Sequence, residues 1–187
     1  MTDLEIQQEP WSPAHNPHAV AVSQGQWAWW TLQVLVRDAR AASGTEQQIY
    51  ARQAAAQLRD LHQAAKMQLR AITEKDVPAA VVDALTDAIG AFEAAVPGAR
   101  EVRDMMAHFD EYARGKGVLQ KELMRAEGVD EVEAARRMWG GGYDPRTDTF
   151  TEGPYTIAFG PAVDAARELQ YAIYQAGRTV DAPVRQD

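Results

Sequence analysis

The chain has 187 residues, of which 46% are hydrophobic and 25% charged, and its formal net charge is −8. This length and composition predict one globular domain with its own core and exclude a disordered chain. Because the chain contains no cysteine, disulfides, thiol nucleophiles and thiolate metal sites are excluded. The acidic balance argues against a general nucleic-acid binder, so any contact with RNA needs a local cluster of arginines.

The N-terminal residues 1–19 are predicted to be irregular, because prolines interrupt any helix there. The start of the chain is acidic and polar, unlike a secretory signal, and no apolar run is long enough to span a bilayer. We therefore expect a cytoplasmic protein without membrane contact. His15 and His18 form a His-x-x-His pair. Without a third ligand nearby, we interpret them as solvated histidines rather than a metal site.

Residues 20–178 are predicted to form a single domain that is mainly all-α. We expect an antiparallel bundle of four to six helices, with a small β-hairpin before the C-terminal helix. A first helix over about 20–42 is apolar nearly all round, and a second over 45–72 contains neither Gly nor Pro. A third helix of about seventeen residues follows Pro78, since proline is tolerated in a first helical turn.

In the C-terminal part of the chain, the predicted helices become shorter and are followed by β-strands. Two short helices within 118–139 are followed by three glycines at 140–142, which we interpret as a flexible end of the helical run. Residues rich in β-propensity on both sides of 152–154 predict the hairpin. The last helix is predicted to end at Gly177, which leaves residues 179–187 as a flexible tail.

The stretch 100–112 predicts a fourth, continuous amphipathic helix, with apolar residues at steps of three and four. Its apolar stripe consists of Val102, Met105, Met106, Phe109 and Tyr112. The polar side carries Arg103, Asp104 and His108, which form an Arg-x4-His pattern with a polar residue directly after the arginine. This pattern is the sharpest candidate for a functional motif in the chain.

The pattern resembles the motif of the HEPN superfamily, whose members are small helical bundles and in many cases metal-independent ribonucleases that act as dimers. The resemblance implies that His108 is a general acid or base and that Arg103 binds the scissile phosphate. Asp104 would orient either residue, and Arg100 would add affinity for phosphate. It also implies that neither a metal nor a cofactor is required and that the product carries a 2′,3′-cyclic phosphate.

The spacing of the motif favours a homodimer. Five residues at about 100° each place Arg103 and His108 about 140° apart around a helix, so one helix does not direct both at the same phosphate. Two such helices across a two-fold axis bring each arginine towards the histidine of the other protomer. Ala107 lies between them and permits close approach.

Two classes of function therefore remain open. The first is a dimeric endoribonuclease of toxin or defence type, which acts on RNA at a confined site and is controlled by a cognate antitoxin or regulatory protein. The alternative is a non-catalytic HEPN-like helical dimer that binds a partner protein or a nucleotide. In that case both motif residues form ordinary surface ion pairs. The carboxylates in reach are Glu101 or Asp104 for His108, and Asp110 or Glu111 for Arg103.

Two further features carry weaker hypotheses. Trp27, Trp29 and Trp30 indicate core packing together with a dimer interface, while a ligand-stacking wall would make the chain a small-molecule sensor. His62 lies beside the buried stripe of the second helix, and we interpret it as a partly buried histidine. A metal enzyme built on His62, His108 and carboxylates is the least favoured hypothesis, because it needs both histidines at matching depth on adjacent helices.

Overall fold

The structure is a computed structural model and describes residues 11–75 and 77–181; predictions for residues 1–10 and 182–187 lie outside the described residues. Residues 17–19 and 179–181 are helical, so the predicted irregular segment 1–19 and flexible tail 179–187 are wrong at these positions. The described residues form eight helices and one three-stranded antiparallel sheet. The helices are α1 (Pro17–Ala41), α2 (Gly44–Thr73), α3 (Ala79–Ala95), α4 (Ala99–Ala107), α5 (Phe109–Ala113), α6 (Val118–Glu127), α7 (Glu131–Arg137) and α8 (Phe159–Asp181). The strands are β1 (Gly141–Asp144), β2 (Thr149–Glu152) and β3 (Tyr155–Ala158). A mainly helical chain with a small β element before the last helix is thus confirmed.

The long helices α1, α2, α3 and α8 share one hydrophobic core. α1 and α2 form a hairpin that Gln47 closes, since its buried side-chain amide donates to the carbonyl oxygens of Ala39 and Ala42, each at 3.0 Å. Small side chains such as Ala51 and Ala54 are fully buried on α2, which lets the backbones of the two helices approach closely. The larger core side chains include Leu32, Leu58, Leu61, Ile72, Leu85, Phe92, Leu169 and Ile173.

The sheet contains one strand more than the predicted hairpin. β2 and β3 are that hairpin, with Gly153 in its turn, and β1 pairs with the other edge of β2. The glycines at 140–142, predicted to be flexible, instead lead into and begin β1. Gln48 of α2 holds this strand, because its side-chain amide donates to the carbonyl oxygen of Tyr143 at 2.9 Å and accepts from its N–H at 2.7 Å. The extra strand therefore depends on a residue 95 positions earlier in the chain.

The last helix continues past Gly177, where it was predicted to end. Gly177 is buried against Val22 of α1, and a Cβ at this position would clash with that side chain, so the glycine serves close helix packing rather than termination. Four residues later, Asp181 accepts a hydrogen bond from Nε2 of His18 at 3.0 Å. His18 is only 5% exposed, so the prediction that it is a solvated histidine is wrong.

α4 to α7 and the sheet are inserted between α3 and α8. α4 and β1 both contact α2, which places the Arg-x4-His motif on the flank of the core helices. Among the described residues, no helix combines the length and apolar character that crossing a membrane requires.

Candidate functional site

The predicted continuous helix over 100–112 is broken at His108. α4 ends at Ala107, the backbone of His108 has φ −114° and ψ 33°, and α5 begins at Phe109. Eight residues of straight helix rise about 12 Å, so a straight helix would hold Tyr112 far from Asp104. At the break, the hydroxyl of Tyr112 donates to Oδ2 of Asp104 at 3.0 Å. The motif thus lies at a corner between two helices, which we call the α4–α5 corner.

Asp104 lies between Tyr112 and His108 at this corner. Nε2 of His108 is 3.8 Å from Oδ1 of Asp104, and about half of the His108 side chain (52%) is exposed to solvent. Burial raises the pKa of Tyr112, so its hydroxyl stays protonated and remains a donor. One oxygen of Asp104 is therefore held by a fixed donor, while the other lies near an exposed imidazole.

Three arginines form a cluster beside this corner: Arg59 of α2, and Arg100 and Arg103 of α4. Burial lowers the pKa of Arg59, and the positive charges of Arg103 and Arg100 lower it further, while the carboxylates of Asp60 and Asp104 oppose this shift. The two arginines of α4 therefore lie within electrostatic range of Arg59. Among the residues that the structure describes, no carboxylate lies within 4.0 Å of any of them. Three positive charges therefore lie on this flank of α2 and α4, together with the carboxylates of Asp60 and Asp104.

Among the ion pairs that the sequence predicted for His108 and Arg103, the structure contains only the approach of His108 to Asp104. Asp110, one of the proposed partners of Arg103, instead pairs with Arg114, with 3.0 Å between carboxylate and guanidinium. Arg103 lies within electrostatic range of Arg59, whereas His108 approaches Asp104, and no hydrogen bond joins Arg103 to His108 within the described chain. Arg59 was missed, because nothing in the local pattern of α2 shows that it meets residues more than forty positions later.

His62 belongs to a different site. Its ring stacks on Phe92 with ring centroids 5.9 Å apart, and Nε2 donates to Glu93 at 2.7 Å. Lys66 contacts the same carboxylate at 3.1 Å. His62 and His108 are therefore held by different partners, and within residues 11–75 and 77–181 no three His, Asp or Glu side chains are grouped as ligands for a metal ion.

The protonation of His62 is expected to make the protein less stable in acid. Burial lowers the pKa of His62 from its usual 6.5, and this effect exceeds the opposing effect of Glu93. The unfolded chain therefore binds more protons than the native state as the pH falls through about 6.5, so stability is lost in that window. We expect His62→Gln to show a smaller loss of unfolding free energy between pH ~7.5 and ~5.5 than the wild type, measured by urea denaturation. The exposed His15→Gln serves as the control, and an unchanged pH slope in His62→Gln would contradict the assignment.

The tryptophans of α1 divide between two environments. Trp29 packs against the core, whereas Trp27 and Trp30 are 62% and 48% exposed and meet edge to face with ring centroids 5.7 Å apart. The prediction that this group packs in the core holds for Trp29. The other two form an exposed aromatic pair.

Comparisons with protein-family models, with curated proteins and with solved structures find no match to this chain.

The link between Tyr112 and Asp104 is expected to stabilise the α4–α5 corner. Tyr112→Phe removes the hydroxyl that donates to Asp104 at 3.0 Å but keeps the buried ring. We expect a loss of about 1–2 kcal/mol in the free energy of unfolding, because a partly buried carboxylate loses its donor. Urea denaturation measures it, with Tyr171→Phe as the control, since Tyr171 is 58% exposed. Equal effects of the two changes would show that the bond contributes nothing.

Proposed function

We propose that this chain is a metal-independent endoribonuclease that acts as a homodimer through the α4–α5 corner. The observation that carries the proposal is the cluster of Arg59, Arg100 and Arg103 beside the exposed His108. Arginines that form no salt bridge with the described carboxylates are suited to bind phosphate through forked, charge-assisted hydrogen bonds. The resemblance of the motif to that of HEPN ribonucleases supports the same conclusion, and we propose that the four long helices are the antiparallel bundle of that fold.

The proposed chemistry needs only side chains of this protein and the RNA. His108 takes the proton of a ribose 2′-hydroxyl, and the 2′-oxygen attacks the adjacent phosphorus. The bond from phosphorus to the 5′-oxygen breaks, a proton is returned to that oxygen, and a 2′,3′-cyclic phosphate remains. Arg103 stabilises the charge that develops on the phosphate, and Arg100 and Arg59 add affinity for the RNA backbone. Asp104, held by Tyr112, orients the imidazole of His108.

Dimerisation completes the proposed site. Among the described residues Arg103 and His108 share no hydrogen bond, and we propose that a second copy brings an arginine and a histidine to one phosphate. Ala107 is exposed between them and offers little steric resistance to a second α4. We propose that each of two equivalent sites takes Arg103 from one protomer and His108 from its partner.

The biological role is proposed to be that of a toxin or defence enzyme. An endoribonuclease acting on cytoplasmic RNA needs control, and a cognate antitoxin or regulatory protein that covers the α4–α5 corner would supply it. Such a partner is expected to present carboxylates, because it must face three arginines.

A second candidate function is favoured by the exposed surface of α1. Trp27, Trp30 and Val34 are exposed at helical spacing, and large exposed apolar side chains in one stripe are typical of interaction surfaces. The alternative is therefore a non-catalytic helical module that binds a partner protein. It requires no RNA cleavage.

The test is incubation of the purified protein with end-labelled RNA in EDTA. The proposal expects cleavage that leaves 2′,3′-cyclic phosphate ends and is lost in His108→Ala. His15→Ala is the matched control, because His15 is an exposed histidine outside the corner. Cleavage that persists in His108→Ala, or its absence with a folded wild-type dimer, would overturn the proposal and favour the partner-binding module.

A further inference from the structure

A cleft of about 410 Å³ adjoins the α4–α5 corner. It lies between α2, the corner and the sheet, and its mouth carries Phe109 and Trp139, which are 60% and 61% exposed. Met105 and Phe150, both buried, form part of its wall. Phe109 directly follows His108, so the cleft begins where the proposed catalytic residue lies. Two exposed aromatic rings beside an apolar wall are suited to stack on a flat, aromatic ligand.

Three glycines before and within β1 line the cleft. Gly140, Gly141 and Gly142 all line it, and none of them places a side chain in the space. Gly142 faces the side-chain oxygen of Gln48, which lies 2.8 Å from where a Cβ would be, so there is no room for a larger residue without moving the group that holds β1. Close packing of β1 on α2 therefore requires glycine at position 142.

Two opposite charges line the same cleft. Arg52 of α2 and Glu152 of β2 lie on its wall. They form no ion pair, since the guanidinium nitrogens of Arg52 and the carboxylate oxygens of Glu152 are more than 4.0 Å apart. Among the described residues, no donor forms a hydrogen bond with the side chain of Glu152. Burial raises the pKa of Glu152, and the positive charge of Arg52 opposes this shift. A half-buried carboxylate without a donor favours a ligand that brings N–H groups to it.

From these contacts we infer that the cleft binds a guanine base, with the ring stacked on Phe109 and Trp139 and its N1–H and N2–H groups donating to Glu152. A carboxylate has two oxygens in one plane, and guanine is the RNA base whose pairing edge presents two adjacent N–H donors. Arg52 donates to the O6 or N7 acceptors of the same base, or to its phosphate. The inference rests on the proposed function, because it makes guanosine the nucleotide next to the scissile phosphate.

The experiment is calorimetric titration of the protein, in EDTA, with the monophosphates of guanosine, adenosine, cytidine and uridine. Wild-type protein is expected to bind guanosine monophosphate at least about tenfold more tightly than the other three. E152Q is expected to remove this preference, because an amide offers one acceptor in place of two. Trp139→Ala is expected to weaken all four nucleotides by about tenfold, because stacking does not depend on the base. Trp27→Ala, which removes an exposed tryptophan of α1 outside the cleft, is the control and should change nothing.

The outcomes separate this inference from the proposed function. Equal binding of all four nucleotides by the wild type, or an unchanged preference in E152Q, overturns the guanine assignment even if RNA is cleaved. A guanosine preference that depends on Glu152 supports it even if no RNA is cleaved, and the ribonuclease proposal then fails alone. Where RNA is cleaved, the cut sites of the wild type should cluster beside guanosine and those of E152Q should not.

Discussion

Mixing the Arg103→Ala and His108→Ala chains is expected to restore RNA cleavage that neither variant shows alone. Each single variant lacks one half of every site, so we expect each to lose activity by at least about 100-fold. In a mixed dimer, the intact Arg103 of one protomer meets the intact His108 of the other, while the second site lacks both. Random exchange makes half of the dimers mixed, so an equal mixture should reach about a quarter of the wild-type rate per chain.

The controls for this experiment keep folding and association apart from chemistry. Arg103 is half-buried and His108 exposed on the corner, so neither change empties the core. Sedimentation or light scattering should show that each variant remains a dimer. A mixture of the wild type with a double variant, which has Ala at both 103 and 108, serves as the reference for subunit exchange. If the Arg103→Ala and His108→Ala mixture stays inactive although exchange occurs, the shared site is refuted.

Gly141→Ala is expected to lower the stability of the protein far more than the same change one residue earlier. Gly141 has φ +148°, and a Cβ there would clash with the backbone carbonyl oxygen of Thr151, which is part of the neighbouring strand and has no room to move. We expect a loss of about 3 kcal/mol or more in the free energy of unfolding, the sum of a strained backbone and a steric conflict. Urea denaturation followed by circular dichroism measures this loss.

Gly140→Ala is the matched control. Gly140 also has a positive φ, +90°, but nothing lies within 4 Å of the position that its Cβ would take. Only the backbone penalty applies, so we expect a loss of about 1 kcal/mol. Similar small losses for both variants would show that β1 does not pair closely with β2 at this position.

The elements of the fold were largely predictable from the sequence. The apolar period of three and four residues predicted α1, α2, α3 and α8, since a helix with one buried face has apolar residues at that spacing in its own sequence. The hairpin of β2 and β3 was predictable for the same reason, from its β-propensity and the glycine of its turn. The predicted roles of single glycines and histidines were wrong. Gly177 looked like a helix end and His18 a solvated side chain, yet one packs against Val22 and the other binds Asp181.

The candidate site was predictable only in part. The motif residues Arg103, Asp104 and His108 lie within six positions, so their proximity follows from the sequence alone. The break at His108 did not, because the apolar stripe continues through it to Tyr112. Arg59 joins the cluster from another helix, and Arg52 and Glu152 meet in one cleft from α2 and β2. No local sequence pattern predicts which residues of distant segments lie close together.

The sequence by itself therefore determined that this protein is mainly helical, that it is acidic, and that Arg103 and His108 belong to one short polar segment. These properties depend on neighbours in the chain, whose spacing is fixed by covalent geometry. The tertiary structure alone decided that Arg59 lies within electrostatic range of Arg100, Arg103 and Asp104, that the glycines at 140–142 line a cleft, and that β1 is held by Gln48. Those arrangements result from the packing of segments tens of residues apart, where burial and hydrogen bonding across the core outweigh local preference.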